Sequence, residues 1–253
     1  QIDKALAEAG TEGADFGKVV HGLRRRCKKL RGLVRLIEPH FKHWARENRA
    51  FRDAANVLSG TRDAAVLVET LAHLLAFDRG RGDEARIDAE QGAILTQWLK
   101  GRLGPPPDGD DRARMLEDFG ELLQAAGKRT RDWSLSERGF ERIGDGLGST
   151  YRRMRDGLGS AAAAQTAEAL HDWRKDCKYH GHHVSLLLPA APDLLQSRRV
   201  AVDRLGEMLG DHHNLAVLDA TRPFSRILKI KGGALCASRS DADGVTAPAA
   251  STT

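Results

Sequence analysis

His21, Arg24, Arg25, Lys28, Arg31 and Arg35 fall within fifteen residues, HGLRRRCKKLRGLVR, and each can carry positive charge or donate hydrogen bonds. Guanidinium groups grip phosphate oxygens through forked N–H pairs, and an ammonium acts as a point charge. An imidazole serves as a neutral donor or a charged clamp according to its protonation. The chemistry on offer is the binding of an anion. On a helix, spacings of 3, 4, 7, 10 and 14 residues from His21 bring all six to one side. No Asp or Glu occurs from Phe16 to Ile37, so these cations have no counter-charge of their own. Like charges one turn apart cost an isolated helix a few tenths of a kcal/mol per pair, roughly. A merely solubilising face mixes signs.

The pattern occurs twice. HGLRRRCKKLR at 21–31 aligns with HDWRKDCKYHG at 171–181, an offset of 150. His21 falls on His171, Arg24 on Arg174, Arg25 on Lys175, Cys27 on Cys177 and Lys28 on Lys178. LSGTRDAAVL at 58–67 then aligns with LGDHHNLAVL at 209–218, at offset 151, which sets Arg62 on His213 and Asp63 on Asn214. Two matches in the same order at nearly one offset read as a duplicated unit. In the second copy His171, Arg174, Lys175, Lys178 and His182 share a face.

The elements that must carry these faces are helices. Apolar residues recur at three- and four-residue steps almost throughout, and alternating β-branched runs are absent. The periodicity predicts helices over 16–37, 40–58, 61–77, 84–101, 111–126, 135–158, 162–188, 191–209 and 212–229, with a short one at 2–9. Pro39, Pro189, Pro192 and Gly210 serve as stops. Val20, Leu23, Cys27, Leu30, Val34 and Ile37 form the apolar stripe beside the first cationic face. Leu170, Trp173, Cys177, Val184 and Leu187 do the same for the second. GRLGPPPDGDD at 101–111 separates two helical halves, 11–103 and 111–229, with 104–110 as linker. From 230 to 253 the chain loses periodicity and reads as a flexible tail.

Composition agrees. Of 253 residues 41% are hydrophobic and 30% charged, enough to form a core under a charged surface, with a net charge of +5. No apolar run is long enough to span a bilayer, so no membrane association is expected. QIDKALAEAG is not a secretory signal, and the sequence opens without Met, as a fragment of a longer chain would. Cys27, Cys177 and Cys236 are too few and scattered for a disulfide framework or a zinc site, which fits a reducing, cytoplasmic setting.

HxxR(R/K)xxK early in each half, followed by the LSGTRDAAVL and LGDHHNLAVL segments, resembles the conserved histidine α-helical domain, CHAD, over roughly residues 11–229. The resemblance implies an all-α fold of two pseudo-symmetric antiparallel helical bundles flanking a central basic channel. It also implies binding of inorganic polyphosphate without catalysis, no cofactor, and association with polyphosphate granules. Carried over residue by residue, the polyphosphate-binding set is His21, Arg24, Arg25, Lys28, Arg31 and Arg62 in the first half. In the second it is His171, Arg174, Lys175, Lys178, His182 and His213. Gly181 replaces Arg31, Asp172 and Asp176 stand beside the second stripe, and His213-Asn214 replaces Arg-Asp, so the second half should bind more weakly.

Arg35, Arg49 and Arg52 are added as extensions of the channel, whereas Arg46, Arg198, Arg199 and Arg204 are open. Asp63 reads as a helix cap or an orienting partner of a channel Arg. Three other functions compete, one of them a scaffold that binds a protein partner through its helical faces, although nothing in the sequence marks an exposed apolar patch. The same cations would hold a nucleic-acid backbone, although no helix-turn-helix, zinc finger or RNP motif is present and aromatics are only 5%. His180, His182, His183, Asp211, His212 and His213 have the ligand types of a metal-dependent phosphohydrolase, but neighbours on a helix diverge by about 100°. No nucleophile elbow, P-loop or dinucleotide loop occurs, so no enzyme activity is expected.

Overall fold

The computed structural model describes residues 1–11, 13–59, 62–82, 85–102 and 107–220, except the side chains of residues 62–64. Among these residues there are nine α-helices and no strand: α1 (Ile2–Ala9), α2 (Phe16–Leu36), α3 (Trp44–Val57), α4 (Arg62–Arg79), α5 (Ala89–Arg102), α6 (Gly109–Arg129), α7 (Glu141–Ala164), α8 (Ala167–Leu187) and α9 (Pro192–Asp219).

Local chemistry starts α2 at the expected Phe16, α6 at Gly109 and α8 at Ala167, past the expected 162. The Asp15 carboxylate accepts from Lys18 N at 2.8 Å and opens α2. Asp108 and Thr166 cap α6 and α8 in the same way. Each of these side chains satisfies one of the amides that a first turn leaves without a partner. Beyond α2 and α8 the chain tightens into 3-10 turns, Glu38–His40 and Leu188–Ala190, each with a proline near its start.

The apolar stripe of α2 is buried as expected: Val20, Leu23, Cys27, Leu30, Val34 and Ile37 all lie inside. They pack with Phe41, Phe51, Leu58, Phe119 and Leu123 in a core shared by α1, α2, α3 and α6. A smaller cluster of Leu71, Ile87, Leu95, Leu99 and Leu218 joins α4 and α5 to α9. Helix α8 packs between α7 and α9, and it also meets α2. The Pro-rich segment therefore separates helices along the chain, whereas packing sets α6 against α1 and α3, and α4 against α9.

Several boundaries differ from expectation. The helices expected at 191–209 and 212–229 are one continuous α9 up to Asp219, and residues from 221 on lie outside the described part. Gly210 weakens a helix by roughly 1 kcal/mol relative to Ala but does not break it. Here contact with α8 holds α9 through that position. Helix α7 runs to Ala164 because the alanines at 161–164 sustain it, and Gln165 ends it in the left-handed region at φ +50°. Helix α3 begins only at Trp44, after the 3-10 turn has reversed the chain.

Two inter-helix contacts fix the frame. Glu47 on α3 is fully buried. Its carboxylate accepts from Arg129 Nε at 2.9 Å, Arg129 Nη2 at 3.0 Å and Arg46 Nε at 2.9 Å. Burial by itself would push the Glu47 carboxyl up, but the hydrogen bonds and charges of Arg129 and Arg46 outweigh it and hold the group below its ordinary value. On the other side, α7 passes so close to the end of α2 that a Cβ on Gly146 would sit 1.9 Å from the Leu36 carbonyl oxygen.

Arg129→Met should lower stability by about 3 kcal/mol, because it takes two of three hydrogen bonds from a buried carboxylate. A carboxyl held low gives stability that is full above its unfolded pKa and is lost as pH falls, so urea unfolding of this variant should also show a shallower acid limb. Gly146→Ala should cost about 2 kcal/mol through overpacking. Gly159→Ala, where a Cβ meets nothing within 4 Å on the same helix, should raise Tm slightly.

Candidate anion-binding site

The two repeated helices touch. Gly32 on α2 and His182 on α8 are 150 positions apart, the offset of the repeat, and a Cβ on Gly32 would lie 2.8 Å from that of His182. Only a residue without a side chain allows this approach. Beside it the buried His183 donates its Nε2–H to the Gly32 carbonyl oxygen at 2.9 Å. Arg31 donates from Nη2 to Tyr179 Oη at 2.8 Å and from Nε to Asn48 Oδ1 at 3.1 Å. The Arg35 guanidinium lies 4.6 Å from the Tyr179 ring centroid and 5.8 Å from that of Trp44, with Glu38 at 3.7 Å. Arg31 and Arg35, expected to serve the anion, are thus engaged in holding α2 to α8 and α3.

Cations from both helices surround this crossing. His182 feels Lys178 from its own helix, Lys28 and Lys29 from α2, and Arg199 from α9. Burial first, and then these four charges, push its imidazole down to about 4. Lys178 runs across α9 at Gly206, where a Cβ would stand 3.1 Å from its Nζ. Arg174 passes Gly210 one turn further on, at 3.5 Å from Nη2 to such a Cβ. Burial lowers the pKa of both Arg174 and Lys178, and for Lys178 the neighbouring Arg174 lowers it further against a smaller opposing effect of Glu207. The His171 and His213 rings stack beyond them, centroids 4.2 Å apart and planes inclined by 31°. The strip from Lys28 through His182, Lys178 and Arg174 to His171 and His213 is one run of positive or protonatable groups.

The acidic residues beside the second stripe have partners. Asp172 accepts from Lys175 Nζ at 2.7 Å, and Asp176 faces Arg153 of α7 at 3.4 Å. The strip itself keeps its charge, at the expense of Lys175. In the first half Arg24 donates from Nη1 to the Ala55 carbonyl oxygen at 3.2 Å, and His21, Arg25 and Lys28 are exposed. Asn48 and Ala55, which Arg31 and Arg24 reach, bracket Arg52 on the same face of α3, so Arg52 stands alongside α2. It pairs with Asp53 at 3.1 Å, and Arg49 is exposed. Helix α4 begins at Arg62, and the side chains of Arg62 and Asp63 lie outside the described residues.

Lys29, Tyr179, Arg199, Gly32 and Gly206 belong to this region although the motif match passes over them. Lys29 and Arg199 are visible in sequence only as further cations. The two glycines carry no signal until α2, α8 and α9 are seen packed. The remaining histidines of α8 are spread around it: His180 is buried and accepts from Arg198 Nε at 3.1 Å, and His183 bonds the α2 backbone. Among the described residues no three His, Cys, Asp or Glu side chains converge as ligands for a metal ion. No described helix is long and apolar enough to cross a membrane.

The sequence pattern of the CHAD domain matches residues 1–222. The chain belongs to the CHAD domain family. No curated protein and no solved structure matches it. In this CHAD domain the repeated motif lies on α2 and α8, and the buried Cys27 and Cys177 occupy equivalent places in the two copies. Burial pushes both thiols up to about 11, so neither is a reactive thiolate.

Replacing Lys28 and Lys178 together by Met should raise the His182 midpoint above 4 in an NMR titration. It should stay below the ordinary 6.5, because burial, the larger cause, remains. An unmoved midpoint would place the two ammonium groups away from His182.

Proposed function

We propose that this CHAD domain binds inorganic polyphosphate in a basic channel flanked by two pseudo-symmetric helical bundles, and that it does so without catalysis. The observation that carries this reading is the convergence of Lys28 and Lys29 from α2 with Lys178 and Arg199 around His182, at a helix crossing with the offset of the sequence repeat. Four cations gathered at one helix contact, of which Arg199 pairs with Asp203, still leave an excess of positive charge suited to a ligand that brings a negative charge on every unit. Family membership supports the same ligand, since CHAD domains are associated with polyphosphate.

The ligand has no bases and needs no sequence readout. Exposed Lys and Arg at 21–28 and 171–178 supply attraction, and the half-buried Arg174 supplies a guanidinium whose buried Nε lacks a protein partner. Binding relieves the repulsion among these groups, so it also stabilises the fold. Residues 11–229 form the binding domain in this reading, residues 230–253 a tail outside it, and the protein works in the cytoplasm at polyphosphate granules.

Titration calorimetry with long-chain polyphosphate tests the proposal. Arg24→Ala, Lys28→Ala, Arg174→Ala and Lys178→Ala combined should weaken binding at least ~100-fold at moderate salt. The salt slope should shrink by about 3, at ~0.7 per lost contact with a single-stranded polyanion. Unchanged affinity in a variant with wild-type circular dichroism would end the proposal. Equal or tighter binding of single-stranded DNA at matched charge would assign the strip to nucleic acid instead.

A further inference from the structure

At the α8–α9 end of the cationic strip, His171 and His213 lie ring against ring at 4.2 Å. Two buried polar atoms there have no hydrogen-bond partner, His171 Nδ1 and Arg174 Nε. The charged or titratable groups acting on the pair are Asp172, Arg174 and Lys175 on α8 and His212 on α9. The one carboxylate among them is occupied, since Asp172 accepts from Lys175. A buried guanidinium donor and a stacked imidazole pair thus share a place where, among the described residues acting on the pair, the one carboxylate is already paired.

Two stacked imidazoles beside Arg174 and Lys175 do not both hold protons when the site is empty. Burial chiefly, and then the neighbouring cations, lower both pKa values below the ordinary one. A neutral ring offers one N–H and one lone pair, and the lone pair repels an oxyanion. A protonated ring offers two donors and a charge. A phosphate oxygen arriving at Arg174 Nε therefore favours protonation of the adjacent rings.

We propose that the stacked His171–His213 pair is a proton-taking oxyanion subsite, so that this CHAD domain binds polyphosphate more tightly as pH falls. The inference rests on the polyphosphate reading above and adds its proton linkage. The rings are neutral in the free protein and charged in the complex between their free and bound midpoints. Across that window binding takes up protons, and each proton taken up changes log Kd by about one per pH unit. Well above pH 7 the rings are neutral in both states and the dependence levels off. His212 is exposed and outside the stack, so it contributes to the field rather than to the subsite.

The test is calorimetry at pH 6.5 with long-chain polyphosphate, whose weakly acidic end groups (titrating near pH 6) are few. Buffers of different ionisation enthalpy read the proton count directly. Wild-type protein should take up about one proton per site and gain roughly tenfold or more in affinity from pH 8 to pH 6. His171→Gln/His213→Gln should lose the uptake and bind equally at pH 6 and pH 8, whereas His43→Gln, at an exposed ring outside the strip, should keep it. Imidazole NMR on the wild type, which needs no variant to fold, should show the His171 and His213 midpoints rising when polyphosphate is added. Binding with no proton uptake, or uptake that survives His171→Gln/His213→Gln or disappears in His43→Gln, would overturn the subsite and leave polyphosphate binding standing. No binding at any pH would overturn the polyphosphate reading itself.

Discussion

Two helices that each carry a cationic face are held in contact, and most of the molecule follows from how that contact is tolerated. At the α2–α8 crossing Gly32 gives up its side chain so that His182 can fit, and His183 bonds the buried Gly32 carbonyl. Burial and nearby charge push His182 and His183 down to about 4, so the crossing is lined with neutral imidazoles at neutral pH. Charged residues at these two positions would add desolvation cost to repulsion. Histidine is polar enough to pair with the backbone and weak enough as a base to stay uncharged there.

The cations nearest the crossing are handled in two ways. Arg31 and Arg35 turn their guanidinium groups onto Tyr179, Asn48 and Trp44, where hydrogen bonds and aromatic faces compensate them. Lys178 and Arg174 lie across Gly206 and Gly210 of α9, with their charged ends left for solvent or ligand. The first pair binds the two repeats together and the second pair supplies the strip. One stripe in the sequence therefore has two jobs, divided by distance from the crossing.

Charge and stability are separated along the chain as well. The principal core of α1, α2, α3 and α6 contains the large buried side chains and the buried Glu47 carboxylate, held by the partly exposed Arg129. Helices α7, α8 and α9 pack with fewer buried residues and closer backbones, through Gly157 against Trp173 and Gly181 against Val202. Helices α8 and α9 can thus present partly buried Arg174, His171 and His213 on the proposed ligand side while the core of α1, α2, α3 and α6 supports α2.

Periodicity in the sequence determined that the chain is helical, which stripe of α2 is buried, and that His21–Lys28 and His171–Lys178 are copies of one another. Those properties are local: three- and four-residue spacing fixes a face, and burial of the apolar face follows. Only the tertiary structure decided what each cation does. Arg31 and Lys28 look alike in sequence, yet one meets Tyr179 and the other lies by His182, because a residue 148 positions away closes on the first. Gly210 read as a stop and became part of the α9 surface beside Arg174, since contact with α8 outweighs a propensity cost of roughly 1 kcal/mol. The stacking of His171 on His213 was equally out of reach, because aligned copies do not tell which of their residues touch. Spacing along a helix fixes direction, whereas contact depends on how two helices pack, and glycines such as Gly32 and Gly206 permit the close approaches seen here.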